Sequence, residues 1–381
     1  MNRSLYGGDH HAFADAARRF VDRSILPRHD EIIEQKYIPR DVWREAGRHG
    51  FLGLEVPESY GGGGAEDFRF NAILTEELSR VSVAMASAFG IHSDIVAPYL
   101  VHLTTEEQKR RWLPGFCSGE IVTAIAMSEP AAGSDLGGIT TTARAEGSDW
   151  ILNGSKTFIT NGYNADLVVV AAKTDPDKRA KGITLLAVEA GMPGFDRGRR
   201  LDKVGQPEAD TAELFFTDVR VPAENVIGEV DRGFIHMMEM LPQERLNAAV
   251  SNLAHARYIF DETLEYAAQR KAFGERIGSF QYNKFILAEM ATELDVTQAF
   301  LDSAVAAHTE GSLTDIDAAK AKWWTADVQN RVLDRCVQLH GGYGYMNEYR
   351  VARAWKDARV TRIWAGSNEI MKEMIGRSLG F

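Results

Sequence analysis

The chain has 381 residues, of which 45% are hydrophobic and 25% charged, and a net charge of -11. That length exceeds one simple core and suits two or three domains. The acidic balance excludes a general nucleic-acid binder, whose affinity comes from basic residues neutralising phosphates, yet leaves room for a small polyanionic ligand met by a few local cations.

Cys117 and Cys336 stand far apart, which suggests neither a disulfide framework nor a zinc motif and fits a reducing compartment. The opening stretch "MNRSLYGGDHHAFADAARRF" lacks an apolar core followed by a cleavage site, so no signal peptide is expected. The most apolar short run, "LVVVAA" at 167–172, is far too short to cross a bilayer. The expectation is a cytoplasmic, water-soluble protein with no membrane insertion.

Helical patterning comes first. Phe13, Ala17, Phe20, Val21 and Ser24 share one face, and Pro27 is expected to stop the run. "TTEEQKRRWLPGF" opens on a capping-box signature, Thr104 followed by Glu107. "YGGGGAEDF" at 60–68 lacks the preceding strand and spacing of a dinucleotide loop and reads as a mobile turn. From about Ile121 the pattern changes to short β-branched and aromatic runs, "IVTAIAM", "DWILNG", "LVVVAA", "GITLLAVE" and "AELFFTDVRV". Strands without helices between them predict a small antiparallel sandwich or barrel, and the Asn-Gly pair of "LNGSK" suits a tight hairpin turn. After Gly233 the helical period returns, with Leu246, Ala249, Val250, Leu253, Ala256, Phe260, Leu264 and Ala267 in one stripe. A later helix ends in two glycines, "QLHGG". The reading is an α+β chain: 1–120 all-α, 121–232 β, 233–381 a helical bundle.

Four stretches carry chemistry-bearing residues. "AIAMSEPAAGSDLGG", 124–138, runs from a strand into a small-residue turn that either leaves backbone N–H groups for a ligand or is a plain surface turn. In "KTFITNG", Phe158 beside Thr160 suits stacking on a flat ring and bonding its edge, or filling a sandwich core. Arg270 in "QRKAFGERIGSFQ" offers a planar fork for a pyrophosphate, or is a solvated helix-end arginine. "QLHGGYGYMNEY" supplies a second glycine turn, where His340 reads as a polar turn residue because no other His or Cys stands at metal spacing.

In this order and at these separations, "SEPAAGSD", "KTFITNG", "RKAFG", "QLHGGYGYMNEY" and "AGSNEIM" resemble the acyl-CoA dehydrogenase family across essentially the whole chain. "LPQERL" and "NEIMKE" look most like its long-chain branch. The resemblance implies an N-terminal helical domain, a middle β domain and a C-terminal four-helix domain, with tightly bound FAD, an acyl-CoA substrate, a homotetramer and electron-transfer flavoprotein as acceptor. Carried over by position, Ile125, Ala126, Met127 and Ser128 line the flavin, with Ser134 near both flavin and substrate. Phe158, Ile159 and Thr160 meet the isoalloxazine, Phe158 standing where many members have tryptophan. Arg270, Phe273, Gln281, Gln338, Leu339, His340, Gly341 and Gly342 contact the adenosine-diphosphate half, in the family mainly that of a neighbouring subunit's flavin. Ser367, Asn368 and Glu369 close the cofactor site, and Ala180, Lys181, Pro242, Gln243, Arg245, Ala365 and Gly366 fall on substrate positions.

The family's reaction removes two hydrogens from neighbouring carbons of an acyl thioester, one of them as a proton taken by a carboxylate. In many members that acid stands where this chain has Ala365. The long-chain and isovaleryl branches carry it on a C-terminal helix, at the position of Glu244 in "PQER". By pattern, Glu244 follows Pro242 at the start of the apolar stripe and reads either as a first-turn acid favoured by the helix dipole or as a group projecting into a cleft. With the branch resemblance, the expectation is that Glu244 is the base and Arg245 its partner, while the backbone N–H at Ala365 bonds the thioester oxygen. The departures are Ile235 for a tyrosine near the substrate, Arg350 for a proline and Ala131 for a glycine. The product is trans-2-enoyl-CoA from a long-chain or branched substrate. Competing readings are an oxygen-using oxidase or monooxygenase on the same scaffold, and a non-catalytic flavin-bearing assembly scaffold.

Overall fold

The structure, a computed structural model, describes residues 3–381; Met1 and Asn2, where the N-terminal segment opens, lie outside them. The N-terminal domain comprises α1 Gly8–Phe20, α2 His29–Gln35, α3 Arg40–Arg48, α4 Phe68–Ser79, α5 Val83–Gly90, α6 Ala97–His102 and α7 Glu106–Ser118. The first run continues beyond α1 through Val21–Ile25 and breaks at Pro27. That proline sits inside a short tight turn, Leu26–Arg28, where its missing N–H is not needed, and α2 follows at once. The capping box differs by one residue from expectation: Thr105 caps α7, and Gln108 returns the bond to the Thr105 N–H at 2.7 Å. Thr104 instead turns its hydroxyl back to the Leu100 carbonyl and closes α6. The glycine turn after Tyr60 is pinned by three backbone bonds, Gly63 to Gly53, Gly64 to Val56 and Ala65 to Leu54, all at 2.8–2.9 Å.

The middle domain holds β1 Thr123–Ala126, β2 Thr142–Glu146, β3 Asp149–Ile159, β4 Leu167–Lys173, β5 Ile183–Glu189, β6 Phe195–Arg200, β7 Ala212–Val221 and β8 Val226–Ile227. They form a single sheet in the order β6-β7-β3-β2-β4-β5-β8, with β1 joined to β4. Most neighbours are antiparallel, but β1 and β2 each pair parallel with β4, so the sheet is mixed and not purely antiparallel. The run at 167–172 is apolar throughout because both faces of β4 are covered. Leu167, Val169 and Ala171 pack toward α6 and α7, whereas Val168, Val170 and Ala172 face Leu152, Leu214 and Phe216 inside the sheet. Asn153-Gly154 is not the hairpin turn. It forms a bulge within β3, where Gly154 has φ +144° and a Cβ would lie 2.6 Å from Thr141 Oγ1. The turn falls instead at Gly147-Ser148, between the paired Glu146 and Asp149.

The C-terminal domain is built on α8 Gly233–Gln269, α9 Gln281–Thr309, α10 Asp315–His340, α11 Arg350–Ala358 and α12 Asn368–Ser378. At 37 residues α8 is about 55 Å long. It reaches from the core shared with the β domain, through Met237, to the bundle core, through Leu246, Val250, Leu253 and Phe260. Leu264, expected on the buried stripe, is 38% exposed. Pro242 lies inside the helix, which continues through it, so Glu244 is an interior residue and not a first-turn acid. Arg350 opens α11 and ties it to Glu262 on α8 and to the Arg80 and Val81 carbonyls, a link between domains that a proline there could not make. Among the described residues no helix is long and apolar enough to cross a membrane.

Candidate active site

Glu244 is 7% exposed, and its Oε1 accepts a hydrogen bond from the hydroxyl of Tyr99, on α6, at 3.2 Å. Burial raises its carboxyl to about 7, against the opposing pull of the Tyr99 bond and the Arg245 charge. Arg245, expected as its partner, is buried next to it but acts through charge alone, its Nε lacking any hydrogen-bond partner. Consecutive helix positions point about 100° apart, which separates the two side chains. Gln243 is also committed elsewhere: its amide donates to the Asp94 carbonyl at 2.8 Å and accepts from His308 at 3.0 Å.

The tail segment is tied to this part of α8 through α10, whose Lys322 feels the Arg245 charge. Ala365 has φ +51° and Gly366 φ +80°, so two successive left-handed residues turn the chain sharply before Ser367 caps α12. Lys322 of α10 holds this turn; fully buried, it donates to the Gly366 carbonyl at 2.6 Å and to Asn368 Oδ1 at 3.2 Å. Burial, helped by Arg245, pulls the Lys322 amine down to about 7. Asn368 also donates to Asp327 at 2.9 Å, so its side chain braces α10. Glu369 stands exposed in the first turn of α12.

At the end of the β domain the structure brings "AMSE" and "KTFITN" together. The Thr157 N–H donates to the Ser128 carbonyl at 3.0 Å, and buried Lys156 donates to the Met127 carbonyl at 3.0 Å and to Glu129 at 2.8 Å. Glu129 further accepts from the Thr140 and Thr141 N–H groups at 2.6 and 2.9 Å. Burial, which raises the Glu129 carboxyl, is outweighed by Lys156 and these donors, and the group is held at about 2. Asn161 clamps the other side through the Ala88 and Thr123 carbonyls at 2.8 and 3.2 Å. Between these anchors Phe158 takes φ +60°, costly for an aromatic residue, and leaves its ring 70% exposed. Half-buried Ser128 and Thr160 flank it, neither hydroxyl hydrogen-bonded to another group among the described residues. Ile125 is half-buried, whereas the side chains of Ala126 and Ile159 face the sheet core, which leaves only their backbones for a ligand. Ser134 is exposed in the following loop, which touches the Ala180–Lys181 turn: a Cβ on Gly137 would lie 3.5 Å from that of Ala180.

A second group forms at the far end of α8. Arg270 lies over the Tyr343 ring at 5.5 Å, beside the exposed Gly341 and Gly342. "RKAFG" folds as a small hairpin, β9 Lys271–Ala272 with β10 Glu275–Arg276, whose turn residues Phe273 and Gly274 both have positive φ; the Phe273 ring is 97% exposed. Gln281 begins α9, and Gln338 is exposed near the end of α10 with half-buried Leu339 beside it. His340 is no surface turn residue: it is buried, stacks on Tyr266 at 4.1 Å and donates from Nδ1 to the Cys336 carbonyl at 2.8 Å. Among the described residues no hydrogen bond, ion pair or ring contact joins this group to the Phe158 group. No cluster of metal-ligating side chains occurs among them either.

Sequence reasoning passed over Tyr99, Lys322 and the Lys156–Glu129 pair. Tyr99 reads as one more core aromatic in "IVAPYLVH". Lys322 had a usable signal, a lysine in line with Ala318, Ala319, Thr325 and Ala326 on a buried helix face.

The residues suit a flavin dinucleotide. An exposed aromatic held on a strained backbone between two free hydroxyls matches a flat ring with a polar edge, and an arginine beside a glycine turn matches a pyrophosphate. Together with the buried carboxylate of Glu244, these features fit a flavin oxidoreductase. The family models for the acyl-CoA dehydrogenase N-terminal, middle and C-terminal domains match residues 8–120, 124–219 and 231–380. The chain belongs to the acyl-CoA dehydrogenase family, whose members are FAD-dependent oxidoreductases. It is 45% identical over 379 residues to the mitochondrial long-chain specific acyl-CoA dehydrogenase of Mus musculus, covering 99% of this chain and 88% of that protein. It is 38% identical over 378 residues to the mitochondrial isovaleryl-CoA dehydrogenase of Solanum tuberosum, covering 98% and 91%. Among solved structures, an acyl-CoA dehydrogenase from Geobacillus kaustophilus superposes with a TM-score of 0.98 at 46% identity, covering 100% of both chains.

Proposed function

We propose that this protein is an FAD-dependent acyl-CoA dehydrogenase that converts a long-chain or branched acyl-CoA to its trans-2-enoyl-CoA, with Glu244 as the base. The observation that carries the reading is a buried carboxylate poised at about 7 in a chain whose residue 365 is alanine. Such a group is ionised in an adequate fraction at neutral pH and still basic enough to take an α-proton.

FAD, when bound, supplies the acceptor for the β-hydrogen and its electron pair. Ser128, Phe158 and Thr160 would hold its ring, and Arg270 with the Gly341–Gly342 turn its pyrophosphate half. The α-proton goes to Glu244, and the electron pair left on carbon becomes the new double bond. Negative charge that gathers on the thioester oxygen is met by the backbone N–H at Ala365, a fixed dipole that needs no acidic side chain at that position. Lys181, exposed on its turn, is available to a CoA phosphate.

The further parts of the reading are a homotetramer, electron-transfer flavoprotein as acceptor and a cytoplasmic location. Exposed Phe273, Tyr282 and Phe285 around the start of α9 support the first, because large aromatics in a row mark a surface that another subunit covers. Sedimentation and acceptor assays test these parts.

The decisive experiment is Glu244→Gln. The variant should fold, keep FAD and lose anaerobic flavin reduction by palmitoyl-CoA or isovaleryl-CoA by about 10²–10⁴-fold. Near-normal reduction would remove Glu244 from the role.

A further inference from the structure

The Tyr99 hydroxyl is committed to Glu244 in a way that general packing does not require. Tyr99 is 0% exposed, and its ring belongs to the apolar core formed by Val96, Leu100, Trp112 and Met237. Its O–H donates to Glu244 Oε1 at 3.2 Å across 145 residues of sequence, from the N-terminal domain to the C-terminal one. Among the described residues nothing donates a hydrogen bond to the second carboxyl oxygen, Oε2. One oxygen is thus tethered and the other left free.

We propose that Tyr99 is a positioning residue for the proton-abstracting carboxylate, fixing its orientation and stabilising its ionised form so that Oε2 is the proton-accepting atom. This rests on the assignment of Glu244 as base and adds the group that tunes it.

The surrounding charges leave this task to Tyr99. Arg245, on the same helix, gives Glu244 no hydrogen bond. Asp94, on the segment packed against α8, directs its carboxyl to Asn71 and to Asn247, the latter at 2.5 Å. His308 of α9 is engaged with Gln243, and Lys322 of α10 with Gly366 and Asn368. Tyr99 is therefore the side chain that donates to the carboxylate. Burial holds the phenol well above its ordinary range, so it stays protonated and remains a donor wherever the enzyme works. A hydrogen bond to the charged form of an acid lowers its pKa, here opposing the rise that burial imposes. Without that donor the carboxylate would hold its proton to higher pH, and less of the enzyme would be competent at neutrality.

The test is the pH profile of anaerobic flavin reduction by saturating palmitoyl-CoA in Tyr99→Phe, which keeps the ring and its packing. The acidic limb should move up by about 1–2 pH units, the equivalent of one hydrogen bond to an ionised group. The rate should recover toward that of the unmodified enzyme at alkaline pH. Replacing Tyr99 with a difluorotyrosine, a stronger donor of nearly the same volume, should move the limb the opposite way. Opposite shifts at equal flavin content and melting temperature are not produced by a merely structural role. An unmoved limb in both variants overturns the proposal. If Tyr99→Phe does not fold, the difluorotyrosine enzyme alone decides. Glu244→Gln separates the two readings: if it still reduces flavin, the base assignment fails, whereas an inactive Glu244→Gln beside an unmoved Tyr99 profile removes only the role given to Tyr99.

Discussion

Lys322, fully buried in α10, donates its amine to the Gly366 carbonyl at 2.6 Å. This bond fastens the left-handed turn at Ala365–Gly366 to the helix that also packs along α8, where the Arg245 charge acts on the same amine. A lysine is an expensive residue to bury, and its placement under a turn with two positive-φ residues argues that the turn, not α10, requires it.

Lys322→Met should therefore weaken the tail more than the bundle. It leaves the Gly366 carbonyl and Asn368 Oδ1 short of a buried donor, each at a cost of about 1–3 kcal/mol. Urea unfolding should show the loss of stability, and hydrogen exchange should concentrate the change at 363–370, with α8 and α9 little affected.

The Lys156–Glu129 pair gives a prediction for acid stability. The Glu129 carboxyl falls from its ordinary value of 4.5 to about 2 in the folded chain. A depressed carboxyl contributes stability that is present above its unfolded value and is lost as pH drops toward the folded one. The contribution should disappear between pH 4.5 and about 2, and Glu129→Gln should flatten that part of the stability curve in urea titrations. Lys156→Met goes further, because it strands a buried carboxylate; a loss of about 3–5 kcal/mol is expected, with poorer flavin retention as the Met127–Ser128 turn loosens.

Phe158 and Ala365 separate strain from function. Both are non-glycine residues with positive φ, at +60° and +51°. Glycine at either position should relieve about 1–2 kcal/mol of left-handed strain, partly offset by the greater entropy of the unfolded chain. Ala365→Gly should therefore keep activity and stability, while Phe158→Gly should keep stability and lose flavin. Denaturation of the apo-protein and the flavin-to-protein absorbance ratio check the two outcomes. A Phe158→Gly enzyme that held FAD normally would leave the strained ring without a purpose.

Much of the architecture was legible because it is written in short-range pattern. The continuous apolar runs "LVVVAA" and "ITLLAVE" and the 3.6-residue stripe after Leu246 each report a local pattern that burial enforces. Where reading failed, a contact distant in sequence had taken over. Asn153-Gly154 has the composition of a turn, but the close approach of Thr141 makes it a bulge. Thr104 has the composition of a cap, but Leu100 takes its hydroxyl and Thr105 caps in its place. Glu244 reads as a helix-start acid only until α8 is seen to begin at Gly233.

By itself the sequence determined the helical, β and helical order, the family motifs, and the fact that residue 365 offers no carboxylate. Only the tertiary structure decided that Glu244 is buried at about 7 against Tyr99, that Arg245 does not hydrogen-bond to it, and that Lys322 pins the tail turn. The reason is physical. Periodicity records which face of an element is dry, but the pairing of a carboxyl with a phenol across 145 residues depends on how three domains pack, and no local pattern encodes that.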